Sequence, residues 1–356
     1  MNQPAAAAGA EVNPVRRPLT VAALLVASLA LGAGGARASC GSASCPIDTH
    51  AFNLPAAGSW ALDLSFQYID QDQPGIGTRS AEVGELPSEH DEVRTINRTA
   101  TLGVRYAPTS RLLLGASVPW MNRFHEHLAN AEDEHGSVAA KHEGHHHESV
   151  REEWSLEGVG DLALEAQWLA VTAGRTDLWL TGAVELPTGR DDRTNDEGEV
   201  AELPIQTGSG STDVTLGATV RGSLRGRALR SGGMGSAATL PWFASLTYRR
   251  NGSGRDDYRL GDEWQLNGGT AIPIAGPLEA TLQLNLRHRD RDDPGSSGED
   301  PALTGGDVVF ASPGLRFAFR EPWAAYVFVQ QPLYQDVNGL QLTAERNWLF
   351  GVQGRW

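Results

Sequence analysis

The chain has 356 residues, with 44 acidic against 29 basic side chains and a formal net charge of −15. That balance excludes nucleic acid as a partner, because a phosphate backbone is met by a basic face. The mean hydropathy is negative, and past the N-terminus no apolar run reaches the roughly 18–20 residues of a spanning helix, which excludes a helical membrane bundle.

The N-terminus reads as an export signal. Arg16 and Arg17 precede an apolar run at 19–31, and small residues at Ala36 and Ala38 set a cut before Ser39. The signal peptide is thus residues 1–38, and residues 39–58 follow as an N-terminal periplasmic segment. It holds both cysteines of the chain, Cys40 and Cys45. In an oxidising compartment their expected state is a disulfide that staples a small loop. A metal or redox pair is the alternative, but the spacing is not the C-x-x-C of a redox motif.

From residue 59 onward the sequence alternates with period two. In "SWALDLSFQYI" (59–69), Trp60, Leu62, Leu64, Phe66 and Tyr68 share one face, with Ala61, Asp63, Ser65 and Gln67 on the other. Twelve such segments follow one another, near 59–69, 94–106, 111–121, 159–170, 177–187, 211–223, 239–249, 261–273, 278–288, 308–319, 323–333 and 345–356. Each is about long enough to cross a bilayer as a tilted strand of roughly 9–11 residues.

Three features select a membrane barrel over a soluble sandwich. Links of a few residues, near 107–110, 171–176, 274–277 and 321–322, alternate with long ones near 70–93, 122–152, 188–207 and 289–307. Short turns at one end and long loops at the other are the layout of an outer-membrane barrel. The link at 224–238 breaks this rule by being long on the short side. Aromatics on the apolar face sit at strand ends: Trp60, Tyr106, Trp168, Trp242 and Trp356 at one rim, Tyr68, Trp120, Tyr248, Trp264 and Trp348 at the other. Two such girdles fit two lipid–water boundaries. Finally, the last alternating strand stops on Trp356, the terminal aromatic that the barrel assembly machinery recognises. The fold class is all-β, a transmembrane antiparallel β-barrel of about 12 strands at 59–356 after a cleaved signal peptide. Its location is the bacterial outer membrane, and its partners are outer-membrane lipid and lipopolysaccharide.

The other face of each strand points into the lumen. It carries both signs: Asp63, Arg105, Glu165, Glu185, Arg221, Arg249, Glu279 and Arg287. Such a set either plugs the barrel as a network or lines a hydrophilic path, and both readings stay open. No Ser-His-Asp or H-E-x-x-H arrangement falls on a defined element, so no enzymatic activity and no required cofactor are expected.

The segments "LGASVPW" (114–120), "GVGDLALEAQWL" (158–169), "GAVELPTGR" (182–190), "GSGSTDVTLGATV" (208–220) and "VQQPLYQDVNG" (329–339) are each a strand with its Gly/Pro turn. They resemble the repeated signatures of an outer-membrane family named for the meta-pathway of phenol degradation and labelled a transporter. The resemblance spans roughly 59–356. It implies a barrel and passage of small solutes, hydrophobic or aromatic ones, and it brings no catalytic residues.

One stretch departs from that family. The expected outer loop 122–152 gathers His125, His127, His135, His142, His145, His146 and His147, seven of the ten histidines. Imidazoles in such number bind Zn²⁺ or Cu²⁺, yet no spacing fixes a closed tetrahedral site. A solvated loop is the other reading. Two functions from different classes therefore follow: a channel or transporter for small solutes, a transition metal among them, or a non-transporting barrel that serves as a surface scaffold or metal-binding module.

Overall fold

The computed structural model describes residues 44–52, 54–83, 85, 90–130, 149–194, 198, 200–227, 237–297 and 301–356. The strands are β1 (Trp60–Gly77), β2 (Arg79–Ser80), β3 (His90–Thr109), β4 (Leu112–Asn130), β5 (Ser149–Val159), β6 (Leu162–Ala173), β7 (Thr176–Leu186), β8 (Asp213–Arg227), β9 (Ala237–Arg250), β10 (Glu263–Ala275), β11 (Leu278–Arg289), β12 (Gly306–Arg320) and β13 (Trp323–Arg355). Every neighbour pair is antiparallel, and β13 pairs with β1, so the sheet closes on itself.

Twelve crossings come from these thirteen elements. Strand β2 is a two-residue return of β1. Strands β5 and β6 form one strand broken at Gly160–Asp161, since β4 pairs with β5 from Trp120 upward and with β6 from Ser117 downward. Strand β13 is two strands: its first part pairs with β12 up to Val337, and its second runs back along β1. The reversal falls at Asn338–Gly339, where Gly339 takes φ +49°. Asn-Gly is the pair that a two-residue hairpin turn asks for, because glycine meets no steric cost at positive φ.

The burial pattern is that of a protein turned inside out. On β11, Leu282 and Leu284 are about half exposed, while Gln283 and Asn285 are fully buried. The same holds around the ring: Leu64, Leu114, Trp168, Leu216 and Val352 face out, and Gln71, Gln167, Gln330 and Gln353 face in. Lipid solvates the first set, and the second must hydrogen-bond inside. Both girdles are present: Trp60 stacks on Tyr106 at 4.4 Å and Trp323 meets Trp356 edge-on at 5.2 Å at one rim, with Tyr248 against Trp264 at 4.7 Å at the other.

Several strands reach farther than their hydrophobic alternation. Strand β4 continues to Asn130 and β5 starts at Ser149, so the histidine-bearing connection is 131–148 rather than 122–152. Strands β8 and β9 likewise extend to Arg227 and from Ala237, which shortens the 224–238 link. A strand that has left the bilayer has no lipid face, and its alternation then vanishes from the sequence.

Candidate functional site

Most of the residues expected from sequence to line the lumen meet polar or charged partners. Asp63 accepts from the Tyr326 hydroxyl at 2.8 and 3.0 Å. Arg105 lies 3.7 Å from Glu165, whose carboxylate accepts from Gln167 at 3.0 Å. Arg221 donates to Gln167 at 3.3 Å and sits over the Trp179 ring at 5.7 Å. Arg249 joins Glu185 and buried Asp213, at 2.6 and 2.5 Å. Arg316 pairs with Glu279 at 3.0 Å, and Arg287 stands in register between Gln265 and Val308. Acidic and basic side chains both occur around the ring, so the wall presents no single-sign field.

The lumen is occupied. Residues 44–52 and 54–58, expected from sequence as part of a periplasmic segment, run among the inward side chains of the wall. At the short-turn end, Gly58 N–H donates to Ala107 O at 2.7 Å. Deeper in, Phe52 meets Phe243 edge-on at 5.4 Å and His50 lies 3.5 Å from Asp63. Farther still, two glutamines hold the backbone. Asp48 N–H donates to Gln283 Oε1 at 3.2 Å, and Gln283 Nε2 donates back to Asp48 O at 2.9 Å. Cys45 N–H donates to Gln330 Oε1 at 3.3 Å, and Gln330 Nε2 donates to Cys45 O at 2.9 Å. Each glutamine amide pairs with the N–H and the C=O of one residue, as a residue on a neighbouring strand would.

Among the described residues Cys45 is a free thiol, fully buried against Val308 and Phe310. Cys40, its expected disulfide partner, lies outside the described residues.

The long-loop mouth is roofed. Between β7 and β8, Ala201 and Ile205 pack on Trp154 and Leu156 of β5. Arg123 fastens it from β4, donating to Pro204 O at 2.8 Å and Gln206 O at 3.3 Å. Asp161 ties down both ends, accepting from Gly189 N–H at 2.8 Å and Ser209 N–H at 2.7 Å. The roof continues sideways. Arg255 reaches Asp191 O, the Tyr258 hydroxyl donates to Asp292 at 2.7 Å, and Asn338 donates to Thr304 O at 2.8 Å.

The histidines divide. His125 and His127 are on β4 and point inward, not into a solvated loop, and both are buried. His125 Nδ1 is 2.8 Å from the Thr95 hydroxyl, and His127 Nε2 is 2.8 Å from Glu152. His135, His142, His145, His146 and His147 lie outside the described residues. Among the described residues no group of three or more His, Cys, Asp or Glu side chains is placed to hold a metal ion.

Sequence reasoning missed the threaded segment and an inward aromatic, Trp179. The second had a visible signal. Trp179 falls on the same parity as Asp177, Thr181 and Glu185, the polar face of its segment.

No protein-family model matches the chain, and no curated protein does. A solved structure shares its fold, and others are less similar. An outer-membrane channel from Pseudomonas putida F1 is 12% identical with a TM-score of 0.58, over 87% of this chain and 100% of that one. The transport unit of the autotransporter AIDA-I from Escherichia coli is 10% identical, with a TM-score of 0.44 over 87% and 93%. A Pseudomonas aeruginosa FadL homologue is 14% identical, with a TM-score of 0.41 over 89% and 95%. The chain has the fold of an outer-membrane β-barrel.

Proposed function

We propose that this barrel is a passive channel for small solutes, held shut at rest by its own N-terminal segment. The double amide clamp on the backbone of Asp48 and Cys45 carries this reading. Wall side chains alone can fill a barrel of about eight strands, and a wider one leaves room inside. Here the wall is instead fitted to a strand-like segment, through hydrogen bonds that water can replace. The likeness in fold to a channel supports the reading, and the resemblance of the strand motifs to a transporter-labelled family favours hydrophobic or aromatic solutes. The reading is non-enzymatic and requires no cofactor. Mixed charge on the wall suits uncharged solutes, since an ion would meet both signs at close range.

The test is single-channel recording in a planar bilayer, comparing the intact chain with one that lacks residues 44–52. The intact chain is expected to conduct rarely and the deleted one to pass a steady current. A deleted chain that folds and inserts yet stays silent would leave the scaffold reading in place.

A further inference from the structure

Gln283 and Gln330 are joined by a third wall amide that addresses the backbone of the threaded segment. Asn285, fully buried two residues along β11 from Gln283, donates to Pro46 O at 3.5 Å and to Asn267 Oδ1 at 2.9 Å. The wall thus reaches the main chain at Cys45, Pro46 and Asp48 through five hydrogen bonds among the described residues. The stretch 44–48 contains no turn, and turns follow at 49–52. Side chains of the segment are met in other ways. Cys45 lies on apolar Val308 and Phe310, and the Thr49 side chain reaches Tyr326. Asp48 stands 3.9 Å from Arg221, and His50 stands 3.5 Å from Asp63. A stopper of fixed sequence can be held by its side chains. A wall that aims buried amides at N–H and C=O groups holds what every peptide carries.

We infer that the inner face around Gln283, Asn285 and Gln330 is a binding groove for an extended peptide, and that residues 44–48 occupy it as a tethered mimic of that ligand. Main-chain hydrogen bonds supply the affinity of such grooves, and side-chain pockets the selectivity. The pocket at Cys45 is closed and apolar, which selects a small apolar residue there. The inference rests on the reading that the segment can leave its seat, and it goes beyond that reading, because a channel for small solutes needs no groove that reads a main chain.

The experiment offers a free peptide to the full chain in detergent, with Cys40→Ser, so that Cys45 is the one thiol. The peptide copies residues 44–52 with Cys45→Ala, and maleimide labelling of Cys45 reports displacement of the tethered segment. The tether acts as an effective concentration on the order of millimolar, so the peptide is used in that range. Labelling is expected to speed up in proportion to peptide concentration. The same peptide N-methylated at positions 45 and 48 loses both clamped N–H groups and is expected to be at least about thirtyfold less effective, the worth of two hydrogen bonds. A peptide that also carries Asp48→Ala and His50→Ala is expected to stay within about tenfold of the parent, since polar contacts at 3.5 Å and beyond are weak. Because the tether could outcompete any free peptide, binding of the fluorescein-labelled peptide to the chain lacking residues 44–52 is measured as well, by anisotropy. The inference is overturned if neither measurement detects the parent peptide, if N-methylation changes nothing, or if the alanine peptide fails and the groove reads this one sequence alone. A shortened chain that binds the peptide but never conducts keeps the groove and removes the channel. One that conducts and ignores the peptide keeps the channel and overturns the groove.

Discussion

Removal of residues 340–356 is expected to leave no folded barrel at all. The second part of β13 closes the ring by pairing with β1, from Ala61 against Arg355 to Gln71 against Ala344. The seam ends in a two-way bond, Trp60 N–H to Trp356 O at 2.8 Å and Trp356 N–H to Trp60 O at 2.9 Å. Without it, the edges of β1 and of the first part of β13 would face lipid. Each unsatisfied backbone group in hydrocarbon costs several kcal/mol. Even a handful therefore exceeds the roughly 5–15 kcal/mol that holds a typical domain together. The loss is all or none, and the shortened strand cannot be relieved by hydration. The check is the mobility shift between heated and unheated membrane fractions in a denaturing gel, which a folded barrel shows and an unfolded chain does not. A truncated chain that still showed the shift would refute the closed-ring topology. The milder Trp356→Asp separates stability from recognition. Trp356 is 55% exposed at the rim, where a charge costs about 0–1 kcal/mol. Refolding in vitro should survive this change, while assembly in cells should fall if an assembly machinery reads the aromatic of this strand.

The part of this architecture that touches lipid was legible from sequence. Leu282, Gln283, Leu284 and Asn285 alternate because lipid and lumen impose opposite demands on successive side chains. The residues expected to line the lumen were read from the same parity. The threaded segment was not legible, for a physical reason. Gln283 and Gln330 hold peptide groups, which every residue carries, so nothing in Cys45 or Asp48 announces the contact. Strand ends were illegible where β4 and β5 leave the membrane, which is why His125 and His127 were taken for a loop. Trp179 was legible in principle: an indole on the polar parity of a barrel strand needs an apolar neighbour inside, and Leu54, Leu113 and Leu169 supply it.

The glutamine clamps make the strongest claim about how the lumen opens. In a Gln283→Leu, Gln330→Leu double variant, four hydrogen bonds between wall and segment disappear. The backbone groups of Asp48 and Cys45 then remain in place without partners. At about 1 kcal/mol for each bond the threaded state loses about 4 kcal/mol, roughly a thousandfold in the ratio of seated to released segment. The barrel itself should hold, since the strand ladders of β11 and β13 use backbone groups and leucine replaces glutamine at similar volume. Asn347 also donates to Gln330 Oε1, at 3.0 Å, so the variant gives up one contact within the wall as well. Cys45 reports the release directly, because its thiol is fully buried while the segment is seated. In a Cys40→Ser background, maleimide labelling of folded protein tracks the population of the released state when reseating is fast. The double variant is expected to label up to about a thousandfold faster, with a mobility shift on heating like that of the parent and a steady current in bilayers. Each single variant should fall between the two, as independent clamps on one strand would. Labelling and conductance that stay at the parent level in the double variant would mean that the segment is held by the rest of the lumen and that the two glutamines are not its latch.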